Sequence, residues 1–253
     1  MHYEVLGRGR PVIFLHGWVG SWRYWVPAMQ TAAMSFRAYA LDLWGFGDTA
    51  HASEGYALEQ QASLLDRFMQ EMGIGKVALI GHGLGALTAI LFACQFPQSV
   101  DRLMVVDMPL DSKAVAARLR SSTSPADLAD WLLGREAIHE PARSDAPKAD
   151  IHAILTSFES LDGTDLIPIM DSLTTPCLMV HGQNDPAIYT LEYERVMSMP
   201  DLVHQIMLED SGHFPMLDES PRFNRLMADF LALFPGESPR ELQLKDEWKR
   251  RVR

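Results

Sequence analysis

The sequence predicts an α/β fold: a mostly parallel central sheet with helices on both faces and a small helical cap insertion. Three observations predict it. Short apolar segments recur along the chain, helical patterns of ten or more residues fill most of the gaps between them, and one proline-rich stretch interrupts this rhythm. Strands that alternate with such helices form parallel sheets covered on both faces. A length of 253 residues suits one domain of this kind carrying an insertion.

The strands are predicted from apolar segments bounded by turn residues. The fourth segment, KVALI, leads into GHGLG at residues 81–85 and then into a helical pattern over 84–96, so the glycines predict a sharp strand-to-helix turn at Gly83. The same glycines interrupt the uncharged run from Val77 to Ser99, which is therefore not interpreted as a membrane span. The predicted strands are residues 3–6, 11–15, 36–42, 76–80, 101–107, 176–181 and 202–208.

The rhythm of strands and helices also predicts the organisation of the chain. The proline-rich stretch holds five prolines, helical patterns near 126–133 and 149–158, and no strong strand, as expected of a cap over an active site. The polar end of the chain is predicted to be a solvated helix docked on its own domain, with a contact between subunits as the alternative. The predicted parts are a core at 1–108 and 173–235, a helical cap at 109–172 and a polar tail at 236–253.

Composition restricts the partners. A formal net charge of -11 and an isoelectric point near 5.2 oppose binding to nucleic acid or to anionic membrane surfaces, so a small uncharged ligand is expected. The two cysteines, Cys94 and Cys177, are interpreted as buried inert thiols. Together with an N-terminus that shows no secretory signal, they predict a cytoplasmic protein. Both a monomer and a homodimer are compatible with these features.

Four further segments carry the polar residues of one catalytic fold. They are LHGW at 15–18, DLWGFGD at 42–48, HGQNDP at 181–186 and SGHFP at 211–215. Together with the glycine turn they resemble the α/β-hydrolase superfamily of serine-hydrolase or esterase type. The resemblance covers nearly the whole chain outside the cap and the tail, and the order of the segments is the one expected for nucleophile, acid and histidine in that fold.

The resemblance implies a role for each matched residue. Gly83 stands where the family's G-x-S-x-G turn carries the nucleophilic serine, Asp185 matches the acid, and His213 matches the catalytic histidine. The backbone N–H groups of Trp18 and Leu84 would form the oxyanion hole. A catalytic triad is therefore expected with its nucleophile missing.

Glycine at position 83 removes the attacking oxygen. Deleting a triad serine typically costs on the order of a million-fold in kcat, so turnover through a covalent acyl-enzyme is excluded. The leading interpretation is an ancestral carboxylic-ester, lactone or related acyl hydrolase that is inactive or strongly impaired. Because the turn strains any residue with a Cβ, Gly83→Ser is expected to leave stability unchanged or slightly lower. An introduced replacement of serine and a natural protein without acyl chemistry both fit, and the intact Asp185 and His213 favour the former or a dyad still used as a base.

Asp107 and the glycine turn allow other interpretations. Asp107 follows the strand LMVVD and is the alternative acid, since some family members place the carboxylate there. It could instead bind the ribose of a dinucleotide, because GHGLGA at 81–86 also satisfies the G-x-G-x-x-[G/A] fingerprint of an oxidoreductase. A non-catalytic receptor or scaffold on the hydrolase fold, and a hydrolase or lyase that uses His213 as a general base without a nucleophile, also remain open.

Bulky side chains near these motifs predict an apolar pocket. Trp22, Trp44, Trp131 and Met108 are predicted to line it, which suits an apolar or aromatic acyl-type ligand. No metal-ligand spacing stands out, so neither a metal nor a cofactor is expected.

Overall fold

The computed structural model describes residues 1–234 and 237–242, and within them seven strands form one sheet. Each predicted strand is confirmed, with boundaries displaced by no more than two residues. The strands are β1 (Tyr3–Gly7), β2 (Arg10–Leu15), β3 (Phe36–Leu41), β4 (Val77–His82), β5 (Val100–Val106), β6 (Cys177–Gly182) and β7 (Val203–Leu208). Their order in the sheet is β1-β3-β2-β4-β5-β6-β7. β1 pairs antiparallel with β3, and the other neighbouring strands are parallel.

Helices cover both faces of the sheet, as predicted. The helices of the described residues are α1 (Val26–Ala32), α2 (Leu58–Glu71), α3 (Leu84–Gln95), α4 (Ala117–Arg120), α5 (Pro125–Leu132), α6 (Glu140–Arg143), α7 (Ile151–Leu161), α8 (Ile167–Asp171), α9 (Tyr193–Met197), α10 (Pro215–Asp218) and α11 (Ser220–Ala232). α1 packs against α11, and α2 packs against α3. The connection from β5 to β6 carries α4 to α8, in the stretch for which a cap is predicted.

The strand order explains where a site can form. From β2 the chain moves outward to β3, whereas β4 lies on the other side of β2, so the connections that leave β2 and β4 run in opposite directions. In open α/β sheets such a reversal opens a crevice at the carboxyl ends of the two strands. The LHGW segment ends β2 and the glycine turn follows β4, so both reach this crevice.

Burial follows the sheet order. β4, near the middle, is buried at every position, whereas β1 at the edge is mostly exposed. One prediction about burial is wrong: Cys177 is buried in β6, but Cys94, near the end of α3, is exposed. None of the helices within 1–234 and 237–242 combines the length and the apolar character that crossing a membrane requires. Most of the tail predicted at 236–253 lies outside the described residues.

Candidate active site

The glycine turn forms a tight elbow between β4 and α3. Gly83 adopts φ 48° and ψ -109°, a backbone conformation that residues with a Cβ rarely adopt. Its N–H donates to the carbonyl of Val106, and its carbonyl accepts from Leu87 in the first turn of α3. Gly85 lies so close to β2 that a Cβ there would be 2.3 Å from the carbonyl oxygen of Leu15. The close approach of helix and strand thus explains the glycine at position 85, and the positive φ explains the glycine at position 83.

Asp185 and His213 meet at the carboxyl ends of β6 and β7. Nδ1 of His213 is 2.8 Å from Oδ2 of Asp185, and both side chains are almost completely buried. The other carboxylate oxygen of Asp185 accepts from the backbone N–H of Ala187 at 2.7 Å. This second hydrogen bond fixes the orientation of the carboxylate toward the imidazole. The structure therefore brings together the two residues that the sequence selected as acid and base, separated by 28 positions in the chain.

Asp107 lies beside this pair without bonding to the histidine. Its Oδ1 accepts from the backbone N–H of Gly182 at 3.0 Å, and Oδ2 is buried without a hydrogen-bond partner among the described residues. Burial, and then the charge of the neighbouring Asp185, raise the pKa of Asp107 well above its ordinary value of 3.8. A protonated carboxyl at this position can donate to Asp185 and support its charge. In the structure Asp185, and not Asp107, holds the imidazole.

The indole of Trp18 lies directly over the elbow. A Cβ built on Gly83 would lie 2.8 Å from Cζ3 of Trp18 and 2.9 Å from Cε3. The ring is fully buried, lies nearly parallel to the ring of His213 at 6.3 Å between centroids, and contacts the ring of Phe158 at 5.0 Å. Its Nε1 donates to Oγ of Ser157 at 2.9 Å. The indole therefore occupies the space that a side chain at position 83 would need.

The two backbone amides predicted as oxyanion donors belong to segments that follow β4 and β2. Leu84 is the first residue of α3, so its N–H has no carbonyl partner within the helix, and Trp18 follows the end of β2. The segment before Trp18 is fixed by Tyr24, whose hydroxyl accepts from the N–H of Gly17 at 2.6 Å and lies 2.9 Å from Nδ1 of His82. The same hydroxyl can also donate to Nδ1 of His82, whose pKa is held well below its ordinary value by burial and then by His213. The hydrogen bonds of Tyr24 thus fix the segment that leads to the predicted donor Trp18.

Each of the predicted pocket residues has its own neighbours in the structure. Trp22 contacts the ring of His2, with 6.0 Å between centroids, and lies under the guanidinium of Arg23. Trp44 packs over Gly55, and Trp131 on α5 lies under Arg118. Met108 is buried and lines a cavity with Met179 and His181. The aromatic ring over Gly83 is that of Trp18, whose backbone N–H is a predicted oxyanion donor.

Several residues of the site carry no signal in the sequence. Ser157 and Phe158 come from α7, in the insertion, and meet the elbow only through tertiary folding. Another contact from the insertion is His139, whose Nε2 is 2.6 Å from Oδ1 of Asp218, five positions after His213. Asp218 also accepts from the N–H of Gly212 with its second oxygen. The insertion thus contacts both the elbow and the histidine loop.

Within residues 1–234 and 237–242, two groups of side chains have the composition of a metal site. One ligand atom each from His82, Asp107 and His213 lie within 4.8 Å of one another, all from buried residues, and a second group consists of His2, Asp42 and Asp48. In the first group, Nδ1 of each histidine already has a partner, in Tyr24 and Asp185 respectively. The sequence predicts no metal, and this remains a prediction.

Comparison with known proteins defines the family to which this fold belongs. Residues 12–226 match the profile of the Alpha/beta hydrolase family. The chain is a member of the alpha/beta hydrolase family. RutD of Yersinia enterocolitica is 25% identical over 269 residues, which cover 96% of each chain. The pimeloyl-[acyl-carrier protein] methyl ester esterase of Vibrio campbellii is 25% identical over 257 residues, which cover 92% of this chain and 98% of the esterase.

Solved structures share the fold. A thermophilic esterase from Thermogutta terrifontis, with malate bound, has a TM-score of 0.78 at 21% identity and covers 91% of this chain and 92% of its own. A mutant of the N-acyl homoserine lactonase AidH, with glycine in place of a serine, is complexed with N-hexanoyl homoserine lactone. It has a TM-score of 0.77 at 20% identity and covers 90% of this chain and 92% of its own. At these identities the likeness shows the fold alone.

Proposed function

We propose that this chain is a serine-esterase-type hydrolase scaffold that does not form an acyl-enzyme. The observation that carries the proposal is the close contact between the Trp18 indole and Gly83, where a Cβ would lie 2.8 Å from the ring. The position lacks an attacking oxygen, and the volume around it is occupied as well. The chain has an esterase among its relatives, but we infer that it does not carry out the covalent acyl transfer of serine esterases.

The missing hydroxyl has a definite chemical consequence. In acyl transfer the serine oxygen attacks the carbonyl carbon while the histidine takes its proton, and the new ester bond stores the acyl group until water releases it. Without the oxygen no such bond forms, and the barrier rises by about 8 kcal/mol. The close packing of Trp18 against Gly83 supports a natural glycine at this position, because the neighbouring side chain occupies the space that a serine would need. It argues against a serine that was replaced by glycine.

A fluorophosphonate probe and p-nitrophenyl butyrate test the proposal. The unmodified chain should be neither labelled by the fluorophosphonate nor acylated by p-nitrophenyl butyrate, because both reactions require a nucleophilic hydroxyl. A double variant, Gly83→Ser with Trp18→Ala, restores the hydroxyl and the space around it and should gain fluorophosphonate labelling. Adding His213→Ala to the double variant should abolish that labelling. Labelling of the unmodified chain would contradict the proposal.

A second function is favoured by the intact hydrogen bond between His213 and Asp185. A buried imidazole bonded to a carboxylate at 2.8 Å is equipped to act as a general base. His213 would take a proton from water as the water oxygen adds to the carbonyl of a small uncharged, apolar or aromatic acyl compound. The leaving oxygen would then receive that proton as the tetrahedral intermediate collapses, with no covalent enzyme intermediate. Lactones and methyl esters are suitable test compounds, since relatives and structural neighbours are named for them.

Direct hydrolysis by the dyad makes a separate forecast. The unmodified chain should hydrolyse such a compound slowly, insensitive to fluorophosphonate, and both His213→Ala and Asp185→Asn should lower kcat. Solvent ¹⁸O should enter the acid product in a single turnover without an acylated protein in the mass spectrum. Activity that survives His213→Ala would exclude this second function while leaving the first intact.

A further inference from the structure

A cavity of about 200 Å³ lies beside the carboxyl ends of β5 and β6. Its floor is formed by the buried side chains of Met108, Met179 and His181, and its mouth includes the exposed residues Lys113 and Tyr189. Most of the remaining lining is apolar. The residues that line it do not include Gly83, Trp18 or His213, so this space is separate from the elbow that the indole fills.

Backbone hydrogen bonds fix the walls of the cavity. The N–H of Ala116 donates to the carbonyl of Ala187, and the N–H of Tyr189 donates to the carbonyl of Ala114, both at 2.8 Å. On the other side, the N–H of Leu166 donates to the carbonyl of Leu110 at 2.8 Å. These bonds join the chain that enters the insertion, the chain that leaves it and the loop after Asp185. The cavity is therefore a formed feature of the fold rather than a gap between loose loops.

His181 provides an unsatisfied polar group at the floor. The residue is 2% exposed, and neither ring nitrogen has a hydrogen-bond partner among the described residues. The nearest carboxylate oxygen, Oδ1 of Asp107, is 3.5 Å from Nδ1 and already accepts from Gly182. A neutral imidazole offers one donor and one acceptor, and buried polar groups are normally paired with protein, water or ligand. A molecule in the cavity can supply the missing partner.

We propose that this cavity is a binding site for a compact, uncharged, largely apolar molecule whose single polar group hydrogen-bonds to His181. An apolar cavity of about 150 Å³ in another protein binds benzene, so the volume here admits a monocyclic ligand. The apolar side chains around Met108 and Met179 supply the favourable burial, and His181 selects for the polar group. The proposal does not depend on any chemistry at Gly83.

Methyl NMR on the full chain, with ¹³C-methyl-labelled methionine, tests the site with two monocyclic probes that differ by one hydroxyl group. p-Cresol carries a hydroxyl that can bond to His181, and toluene lacks it. Both probes should shift the methyl signals of Met108 and Met179, while Met34, which is 87% exposed, should not respond. Replacement of each methionine by leucine assigns the signals.

Two variants separate the contributions. His181→Phe keeps a planar ring but leaves the buried hydroxyl of p-cresol unpaired, so the ratio of p-cresol to toluene affinity should fall about tenfold. Ile167→Trp changes a partly exposed lining residue and should block both probes by filling the cavity, which keeps the test valid if the histidine variant fails to fold. Unchanged methionine signals, an unchanged affinity ratio or full binding to Ile167→Trp would overturn the proposal, and none of these outcomes bears on the absence of an acyl-enzyme.

Discussion

At the scale of single residues, Gly83 and Trp18 act as a pair. From the sequence, Gly83 is predicted to lack the nucleophilic hydroxyl, and Trp18 is predicted to supply a backbone N–H. The structure adds that the Trp18 indole lies within 2.8 Å of the position that a Cβ on residue 83 would take. The glycine removes strain from a turn with φ 48°, and it also leaves the space that a buried indole occupies. A change at either position therefore affects the other.

Gly83→Ser is expected to destabilise the protein, contrary to the near-neutral effect that the sequence predicts. The new Cβ meets a ring that is fully buried and hydrogen-bonded, and overpacking of this kind costs about 1–3 kcal/mol. Urea unfolding of the variant measures the cost. Gly73→Ser is the matched control, since Gly73 also has a positive φ, 67°, but has nothing within 4 Å of its Cβ position. Equal costs for both substitutions, or a cost at Gly83 that persists with Trp18→Ala, would show that the contact is not responsible.

Asp107→Asn is expected to change how stability depends on pH. Because burial and Asp185 raise the pKa of Asp107, the folded chain retains a proton that the unfolded chain releases above about pH 4. The stabilisation from this proton is complete below the unfolded pKa and is lost as the pH rises toward the folded one. Asparagine keeps an oxygen for the N–H of Gly182 and cannot ionise. Its free energy of unfolding, measured by urea titration from pH 4 to pH 8, should fall less with rising pH than that of the parent.

A parallel decline in both proteins would contradict the raised pKa of Asp107. Comparison at fixed ionic strength is needed, because the net charge of -11 makes general repulsion depend on salt as well. The difference between the two profiles, rather than either profile alone, reports the buried carboxyl.

At the scale of elements, the insertion is bound to the sheet through a few buried polar contacts. α7 holds the indole through Ser157, and Tyr56, in the connection that leads to α2, donates to Asp150 at 2.7 Å. In the segment after β2, the hydroxyl of Ser21 donates to Oδ2 of Asp145 at 2.5 Å, and Nε of Arg23 forms an ion pair with the same oxygen at 2.8 Å. Helices of this length are marginal alone, so such contacts to the core position them.

Ser157→Ala tests the most buried of these contacts. The change leaves Nε1 of Trp18 unpaired inside the protein, which should cost about 1–3 kcal/mol of unfolding free energy. Ser63→Ala, on the exposed side of α2, is the control and should lie within about 0.5 kcal/mol of the parent. Tryptophan fluorescence should also respond only to the change at Ser157. A cost no larger than that of the control would mean that the hydrogen bond does not hold the indole.

At the scale of the whole molecule, the two thiols report on the integrity of the fold. Cys94 is exposed, whereas Cys177 is buried in β6, and burial raises the pKa of Cys177 to about 12. Ellman's reagent should therefore modify one thiol per native chain and a second one only in denaturant. Cys94→Ser should abolish the reaction of the native protein and leave one thiol that reacts in denaturant. Rapid reaction of both thiols in the native protein would contradict the packing of β6 in the sheet.

The sequence determined the sheet, the elbow and the dyad. Apolar segments between turn residues marked each strand within two residues, since strand formation follows a local pattern. The dyad could be predicted because HGQNDP and SGHFP are local motifs, and parallel strands bring their carboxyl ends to one edge. Asp185 and His213 therefore follow from short stretches of sequence.

Only the tertiary structure decided what occupies the space between these parts. The Trp18 ring covers Gly83, and Ser157 and Phe158 contact that ring from the insertion. These contacts, like the neighbours of the other predicted pocket tryptophans, depend on side-chain packing between segments distant in sequence. No local pattern encodes the direction of an indole, because the surrounding volume and hydrogen-bond partners select it. The sequence thus predicted the carboxylate and the imidazole, whereas the space available to a ligand depends on how segments distant in sequence pack together.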